Sequence, residues 1–389
     1  MVNDVINIRS ELERITYPGR TDEAVRRNRA LLDGYDYDAY VEGITGYAGQ
    51  DLQKVEFIKR SDAVRTRVGE RGNYKAGMAL MPDGTLVAAA CRVNRDSAEV
   101  VFNIHVYCSR DNGDTWEKRN RTTLFGKEPA LACLPDGTLL LTSQAAGIYD
   151  AGAVRLPVYR SADDGVTWEV NYIEGNRDYP RNILVNPDGS ALIVRAKDFR
   201  YWFEENRSGS PDFEIAHSVD GGVTWELGTG KVDWDFTGFA EMSAIKLKNG
   251  RMIASLRRQP MDTKGEGYED TVFTESLDGG ATWEKPWRIS NTGEVHWYLT
   301  ELADGRVLGT FSNYHLPYGV YAVISKDGGR TWDQDNYIQL AVSNDIYVGW
   351  PVTLQLPDGS LVTSYAATTY LCQKPDTTTC EVVRWKLSV

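Results

Sequence analysis

Ser109-Arg-Asp-Asn-Gly-Asp-Thr-Trp116 is the first of five octapeptides built on one pattern, S-x-D-x-G-x-T-W, and their recurrence decides the fold. The others run from Ser161 to Trp168, Ser218 to Trp225, Ser276 to Trp283 and Ser325 to Trp332. Successive copies begin 52, 57, 58 and 49 residues apart, a period that marks a repeat architecture. A second signal alternates with the first: Pro82-Asp83-Gly84, Pro135-Asp136-Gly137, Pro187-Asp188-Gly189, Lys248-Asn249-Gly250, Ala303-Asp304-Gly305 and Pro357-Asp358-Gly359. These turns recur every 52 to 61 residues, between apolar runs such as Leu131-Ala-Cys-Leu and Thr138-Leu-Leu-Leu-Thr. Asp-Gly or Asn-Gly between such runs signals a hairpin. Two hairpins per period make four strands. Six such units set radially make an all-β, six-bladed β-propeller, a fold that leaves only short sheet edges.

The octapeptide has a structural reading. Its Asp accepts backbone N–H groups of the turn, its Gly tolerates positive φ, and its Trp offers an apolar plate that one sheet presses on the next. The five copies resemble the Asp-box repeats of the sialidase-like superfamily, and the resemblance covers roughly residues 55–389. The sixth repeat, around Asp358, has no octapeptide, so its outer strand is expected from Val55-Glu-Phe-Ile-Lys or from the final Val382-Val-Arg-Trp-Lys-Leu run. Residues 1–54 form an N-terminal extension. Within it Thr21-Asp22-Glu23, the following Ala24 to Leu32 and Gly34 read as one capped helix packed on the propeller.

Composition narrows the function. The chain has 389 residues and a net charge of −12, which argues against nucleic acid and against an anionic membrane surface. The start, Met1-Val-Asn-Asp-Val-Ile-Asn, has no basic and then apolar leader, and no apolar run is long enough to span a bilayer, so as written the chain reads as cytoplasmic. Five cysteines show no metal or redox spacing, the four histidines no ligand pair, and no Gly-rich phosphate loop is present, so neither metal nor cofactor is expected. The 11 Trp and 21 Tyr suit both β packing and sugar stacking. Oligomeric state is left open.

Geometry locates the site. Both hairpin types fall on one face, so the opposite face collects residues seven or eight positions before or after each Asp-Gly turn. Entering inner strands bring Tyr74-Lys75, Glu128, Arg181, Glu241, His296 and Trp350. Leaving strands bring Arg92 with Asp96, Lys197-Asp198, Arg257-Arg258 and Asn313-Tyr314-His315. That mouth suits an anionic or polyhydroxylated ligand, although a lone Arg or Glu at a strand end can equally be a solvated rim residue.

The resemblance assigns roles. In sialidases an Arg soon after the first hairpin precedes an Asp acid/base, and Arg92-Val-Asn-Arg-Asp96 looks like that pair. A Glu about sixteen residues before an Arg straddles the fourth-blade hairpin, as Glu241 and Arg257 do; the family's Glu polarises the nucleophile and its Arg binds the substrate carboxylate. Three departures stand beside these matches. Asn73-Tyr74-Lys75-Ala76 stands where the family places an Arg-Ile-Pro motif, Tyr314-His315-Leu-Pro-Tyr318 where a third Arg is expected, and Trp350 where the Tyr nucleophile belongs. An indole cannot attack an anomeric carbon as a phenolate can.

Three functions follow. A glycoside hydrolase would draw its carboxyl pair from Asp96, Glu241 and Glu128, with Tyr314 the substitute nucleophile. Its substrate would be a uronic, sulfated or neutral sugar rather than an ordinary sialoside. A polysaccharide lyase would use His296, His315 or Tyr314 as base, with Arg181 or Arg257 neutralising a uronate. A glycan-binding propeller without catalysis is the third.

Overall fold

The five octapeptides close their turns by the same Asp–Thr and Ser–Gly bonds, and the first four add a bond from the Trp indole. In the first, Asp111 accepts the Thr115 amide at 2.9 Å and the Thr115 hydroxyl at 2.5 Å. The Ser109 hydroxyl accepts the amide of Gly113 at 2.8 Å, where φ is +91°, a conformation glycine adopts without a Cβ penalty. The Trp116 indole donates to the Gly113 carbonyl at 3.1 Å. Asp163, Asp220, Asp278 and Asp327 repeat the Asp-to-Thr pair of bonds.

The structure, a computed structural model, describes residues 55–57, 63–94, 101–144, 155–174, 180–196, 213–233, 239–258, 270–288, 290–291, 293–314, 318–342, 348–368 and 378–387. Those residues form six sheets, each built on antiparallel hairpins, in the order that two hairpins per repeat require. Blade one is Asn73–Leu80, Leu86–Asn94, Val101–Ser109 and Glu117–Lys118; blade two is Lys127–Cys133, Leu139–Gln144, Arg155–Ser161 and Glu169–Glu174. Blade three is Leu184–Val185, Ala191–Ala196, Phe213–Ser218 and Glu226–Val232; blade four is Phe239–Lys246, Met252–Arg258, Asp270–Ser276 and Trp287–Arg288. Blade five is Glu294–Glu301, Val307–Asn313, Gly319–Ser325 and Tyr337–Val342. The first-named, innermost strands neighbour one another around the axis, and that of blade six lies against that of blade one, which completes the ring.

Closure corrects the expectation for the sixth repeat. The final strand Thr378–Trp385 is the third strand of blade six, after Gly349–Gln355 and Leu361–Thr368. The fourth is Val64–Arg67, antiparallel to it with Val64 opposite Arg384. Val55–Phe57 lies instead parallel to Tyr337–Val342 on the edge of blade five. The reason is reach: only Val68 to Gly72 separate Val64–Arg67 from the first strand of blade one, a span that suits the step between adjacent blades. The helix expected within residues 1–54 lies outside the described residues, and among the described residues no helix is long and apolar enough to cross a membrane.

Burial is distributed between blades, not within one centre. Six apolar clusters each join two neighbouring blades. Trp116, Trp168, Trp225, Trp283 and Trp332 each pack between their own blade and the one before it. The blade five–six cluster has no octapeptide Trp and takes Trp385 from the final strand, its indole donating to the Thr363 hydroxyl at 3.0 Å. The cysteines at 91, 108, 133 and 380 are free thiols. Cys372 lies outside the described residues.

Candidate functional site

Count back eight residues from the Asp or Asn of each Asp-Gly or Asn-Gly turn and the positions are Lys75, Glu128, Pro180, Glu241, His296 and Trp350. Five of these six have positive φ, between +44° and +56°, which costs a non-glycine residue about 1–3 kcal/mol. At each of the five the strand ladder slips by one residue. An extra, left-handed residue in one strand bends it and re-aims a side chain; here it turns a polar or aromatic group toward the axis at the upper end of each inner strand. Pro180, whose ring fixes φ negative, cannot join this pattern. In blade three the inner strand is only Leu184–Val185, and Arg181 serves in its place.

Blades four, five and six share one cluster. Glu241 pairs with Arg257 at 3.0 Å, and its second oxygen lies 3.0 Å from Nε2 of His296. His296 Nδ1 lies 3.1 Å from the Ser312 hydroxyl and 3.5 Å from that of Tyr314. The His296 ring lies 4.3 Å from the Trp350 ring, and the Trp350 amide donates to the Ser312 hydroxyl at 3.2 Å. All of these side chains are buried. Burial alone would push the Glu241 carboxyl up, but His296 and Arg257 reverse that and hold it well below the usual range. Burial pulls His296 down to about 3 against the attraction of Glu241, so the imidazole is neutral at physiological pH. An ionised Glu241 beside Nε2 then fixes the tautomer: Nε2 carries the proton and donates it to the carboxylate, while Nδ1 accepts from a hydroxyl.

Blades one, two and three supply the other half. Lys75 pairs with Glu128, which also lies 3.5 Å from Lys127. The Lys75 ammonium sits 3.6 Å from the Trp350 ring centroid and 5.1 Å from that of Tyr74, cation–π contacts of the close kind. Burial pulls this ammonium down to about 8, against the pull of Glu128. The Arg181 guanidinium donates to the Pro351 carbonyl at 3.1 Å. Trp350 thus stands between the two halves, engaged by His296 from one and Lys75 from the other.

Of the residues singled out from sequence, Lys75, Glu128, Arg181, Glu241, Arg257, His296, Tyr314 and Trp350 occupy this axial region. Arg92 is not brought into contact with Glu241 or Arg257; it pairs with Glu70 at 2.9 Å, on the segment entering blade one. Asp96 and His315 lie outside the described residues, as do Lys197 and Asp198. Two contributors escaped the sequence reading. Ser312, eight residues after its turn, ties His296 to Trp350, and Lys127 flanks Glu128. Ser312 occupies in blade five the place of Arg257 in blade four, so the offset that found Arg257 would have found it. Among the described residues no group of three or more His, Cys, Asp or Glu side chains is placed to hold a metal ion.

Residues 204–389 match the family described as a BNR repeat-like domain. The chain is similar to the sialidase of Micromonospora viridifaciens, with 28% identity over an alignment 230 residues long that covers 52% of this chain and 35% of that protein. It is also similar to the sialidase of Bacteroides fragilis, 22% over 314 residues, 69% of this chain and 55% of that one. It therefore spans about half or less of the length of these curated relatives. Among solved structures, an α-L-arabinofuranosidase from Fusarium graminearum with a bound iminosugar inhibitor superposes with a TM-score of 0.62 at 15% identity, covering 83% of this chain and 97% of that one. At that identity the likeness is one of fold.

Proposed function

As a divergent sialidase-like six-bladed propeller, this protein is, we propose, a glycoside hydrolase that cleaves a glycan at the axial cluster. One observation carries the reading: the ionised Glu241 carboxylate, fixed by Arg257 and His296 at the axis. Glycoside cleavage builds positive charge on the anomeric carbon as the leaving oxygen departs, and a pre-oriented anion stabilises that charge without reorganising. Glu241 is held too firmly as an anion to be the proton donor.

Nucleophile and acid must then come from elsewhere. The Tyr314 hydroxyl faces His296 Nδ1, whose other nitrogen is committed to Glu241. This is the order nucleophile, base and orienting carboxylate. Tyr314 oxygen bonds to the anomeric carbon as its proton passes to Nδ1, and Glu241 compensates the imidazolium that burial would otherwise disfavour. The bond to the leaving oxygen breaks as Asp96, two residues past Leu86–Asn94, supplies that oxygen's proton. Water then attacks the glycosyl-tyrosine, gives a proton back to Asp96 and frees the phenolate to recover its own from His296.

A panel of aryl glycosides and polysaccharides tests this with wild type, Glu241→Gln, Tyr314→Phe and Asp96→Asn. Glu241→Gln is expected to lose about a hundredfold or more in kcat/KM. Activity within threefold of wild type in both Glu241→Gln and Tyr314→Phe would overturn the reading, and no cleavage of any glycan would leave a binding propeller. A second reading, β-elimination, is favoured by the same His296–Tyr314 contact beside Arg257, since a lyase needs a base next to a cation. A product absorbing as a conjugated double bond would move the assignment there.

A further inference from the structure

Trp350 is held as a wall across the axis. Its backbone sits in the left-handed region at φ +51°, and its amide donates to the Ser312 hydroxyl at 3.2 Å. The residue is only 3% exposed. Lys75 Nζ lies 3.6 Å from the ring centroid and the His296 ring 4.3 Å from it. A buried ring gripped by a cation, an imidazole and its own amide is a fixed partition.

The partition separates charge from chemistry. Behind it lies a cavity of about 30 Å³, taken as the space open to a water's centre, lined by Lys75, Glu128, Arg181, Trp350, Pro129 and Pro180. There Lys75 and Arg181 face one carboxylate, Glu128, a surplus of one positive charge among the described lining residues. In front of the indole the charges cancel among the described residues. Arg257 is paired with the ionised Glu241 at 3.0 Å, and His296 is neutral. The Tyr314 hydroxyl lies on this side, 3.5 Å from His296 Nδ1. The surplus cation and the nucleophile therefore stand on opposite sides of one indole.

That arrangement discriminates at the anomeric carbon. In a glycoside of a 2-keto acid the carboxylate is bonded directly to that carbon, about 1.5 Å away. A cation that grips the carboxylate must then stand within about 5 Å of the carbon under attack. Here an aromatic ring fills that interval. A carboxylate pressed against the front of the ring would be buried without net opposing charge, which is costly. An aldoside presents only hydrogen there.

We infer that Trp350 is the specificity-determining residue of the axial site, admitting aldosides and rejecting glycosides of 2-keto acids. The inference rests on the glycoside-hydrolase reading with Tyr314 as the attacking group. Trimming the indole joins the cavity to the nucleophile's side and lets Lys75 reach a carboxylate on the anomeric carbon.

The experiment sets an aryl N-acetylneuraminide against the best aryl aldoside of the panel. It compares wild type, Trp350→Ala, the milder Trp350→Phe, and Trp350→Ala combined with Lys75→Met, each checked for its fold by circular dichroism. Wild type is expected to favour the aldoside by about a hundredfold or more in kcat/KM. Trp350→Ala is expected to narrow that preference by about tenfold or more, Trp350→Phe by less, and added Lys75→Met to restore it. Titration calorimetry with methyl N-acetylneuraminide reads the same change without turnover: affinity should rise about tenfold in Trp350→Ala and fall back in the double variant. Wild type cleaving both aryl glycosides equally well would overturn the inference. So would Trp350→Ala and Trp350→Phe that fold and keep the wild-type preference and affinity, or a gain that survives Lys75→Met. Aldoside cleavage with no effect of Trp350 sinks the wall and leaves the hydrolase; the affinity shift without cleavage of any glycoside does the reverse.

Discussion

The functional residues are those the backbone treats worst. Lys, Glu and Trp are poor occupants of the left-handed region, yet Lys75, Glu128, Glu241 and Trp350 all adopt it, as His296 does, at one offset from their turns. Lys75 is the most exposed to pH. Glu128, Lys127 and Glu241 act on it, and Tyr74 and Trp350 cover it. Its folded pKa, about 8, lies below the usual lysine value because burial disfavours the ammonium, so the charge is present below about pH 8 and lost above it. Folding stability should therefore rise from about pH 8 toward the unfolded lysine value, with Lys75→Met flattening that rise in denaturant unfolding; a wild-type profile no steeper than the variant's would mean that the Lys75 ammonium keeps its hydration. The offset was legible in the sequence because turn spacing fixes it. The left-handed bulge was not, since no residue type there asks for it. Arg92 shows how narrow the margin is. The residue eight past its turn is Cys91, whose thiol donates to the Tyr74 carbonyl, and successive strand residues point to opposite faces. Arg92, one further, turns to Glu70.

At the scale of the turn and the strand, the octapeptide was legible almost whole, because its bonds are local. Asp, Thr, Ser and Gly lie within seven residues, so no distant element has to be known. What the spacing could not give was the partner of each Trp, which is set by the neighbouring blade. The division of labour is testable at one turn. Asp278→Ala removes an acceptor of three bonds at an exposed position and should cost about 1–2 kcal/mol. Trp283→Ala empties a site between blades three and four and should cost about 3–5 kcal/mol. Denaturant unfolding monitored by circular dichroism measures both, and a larger loss for Asp278→Ala would reverse the assignment. The same turns shape acid stability. The Thr hydroxyl and amide bonds hold Asp111 and Asp278 down to about 2, below the unfolded carboxyl, so their contribution is full above about pH 4 and fades as the pH falls toward 2.

At the scale of the whole molecule, six blades of similar sequence must still be told where the ring ends, and here local signals ran out. The sixth repeat has no octapeptide hairpin, and two candidate runs were β-prone; a third, Val64–Arg67, with two basic residues in four, was less conspicuous and is the strand that closes. It does so with more than the ladder. Arg65 donates to the Leu340 carbonyl of blade five at 2.9 Å, and the Thr66 hydroxyl donates to the Gly113 carbonyl of blade one at 2.6 Å. The Val68 amide donates to the Cys380 carbonyl at 2.8 Å. Three consecutive blades are therefore pinned by one short segment. A chain beginning at Arg71 keeps every inner strand yet leaves Thr378–Trp385 as an open edge with unpaired amides and carbonyls. It should show a thermal midpoint lower by several degrees or more and a shift toward oligomers or aggregates in size-exclusion chromatography. Arg65→Ala, which removes one bond and leaves the strand, should keep the wild-type elution volume with a smaller drop. If the truncated chain instead unfolds at the wild-type temperature and elutes as the wild type does, closure is carried by the final strand alone, and Val64–Arg67 is an ornament on blade six.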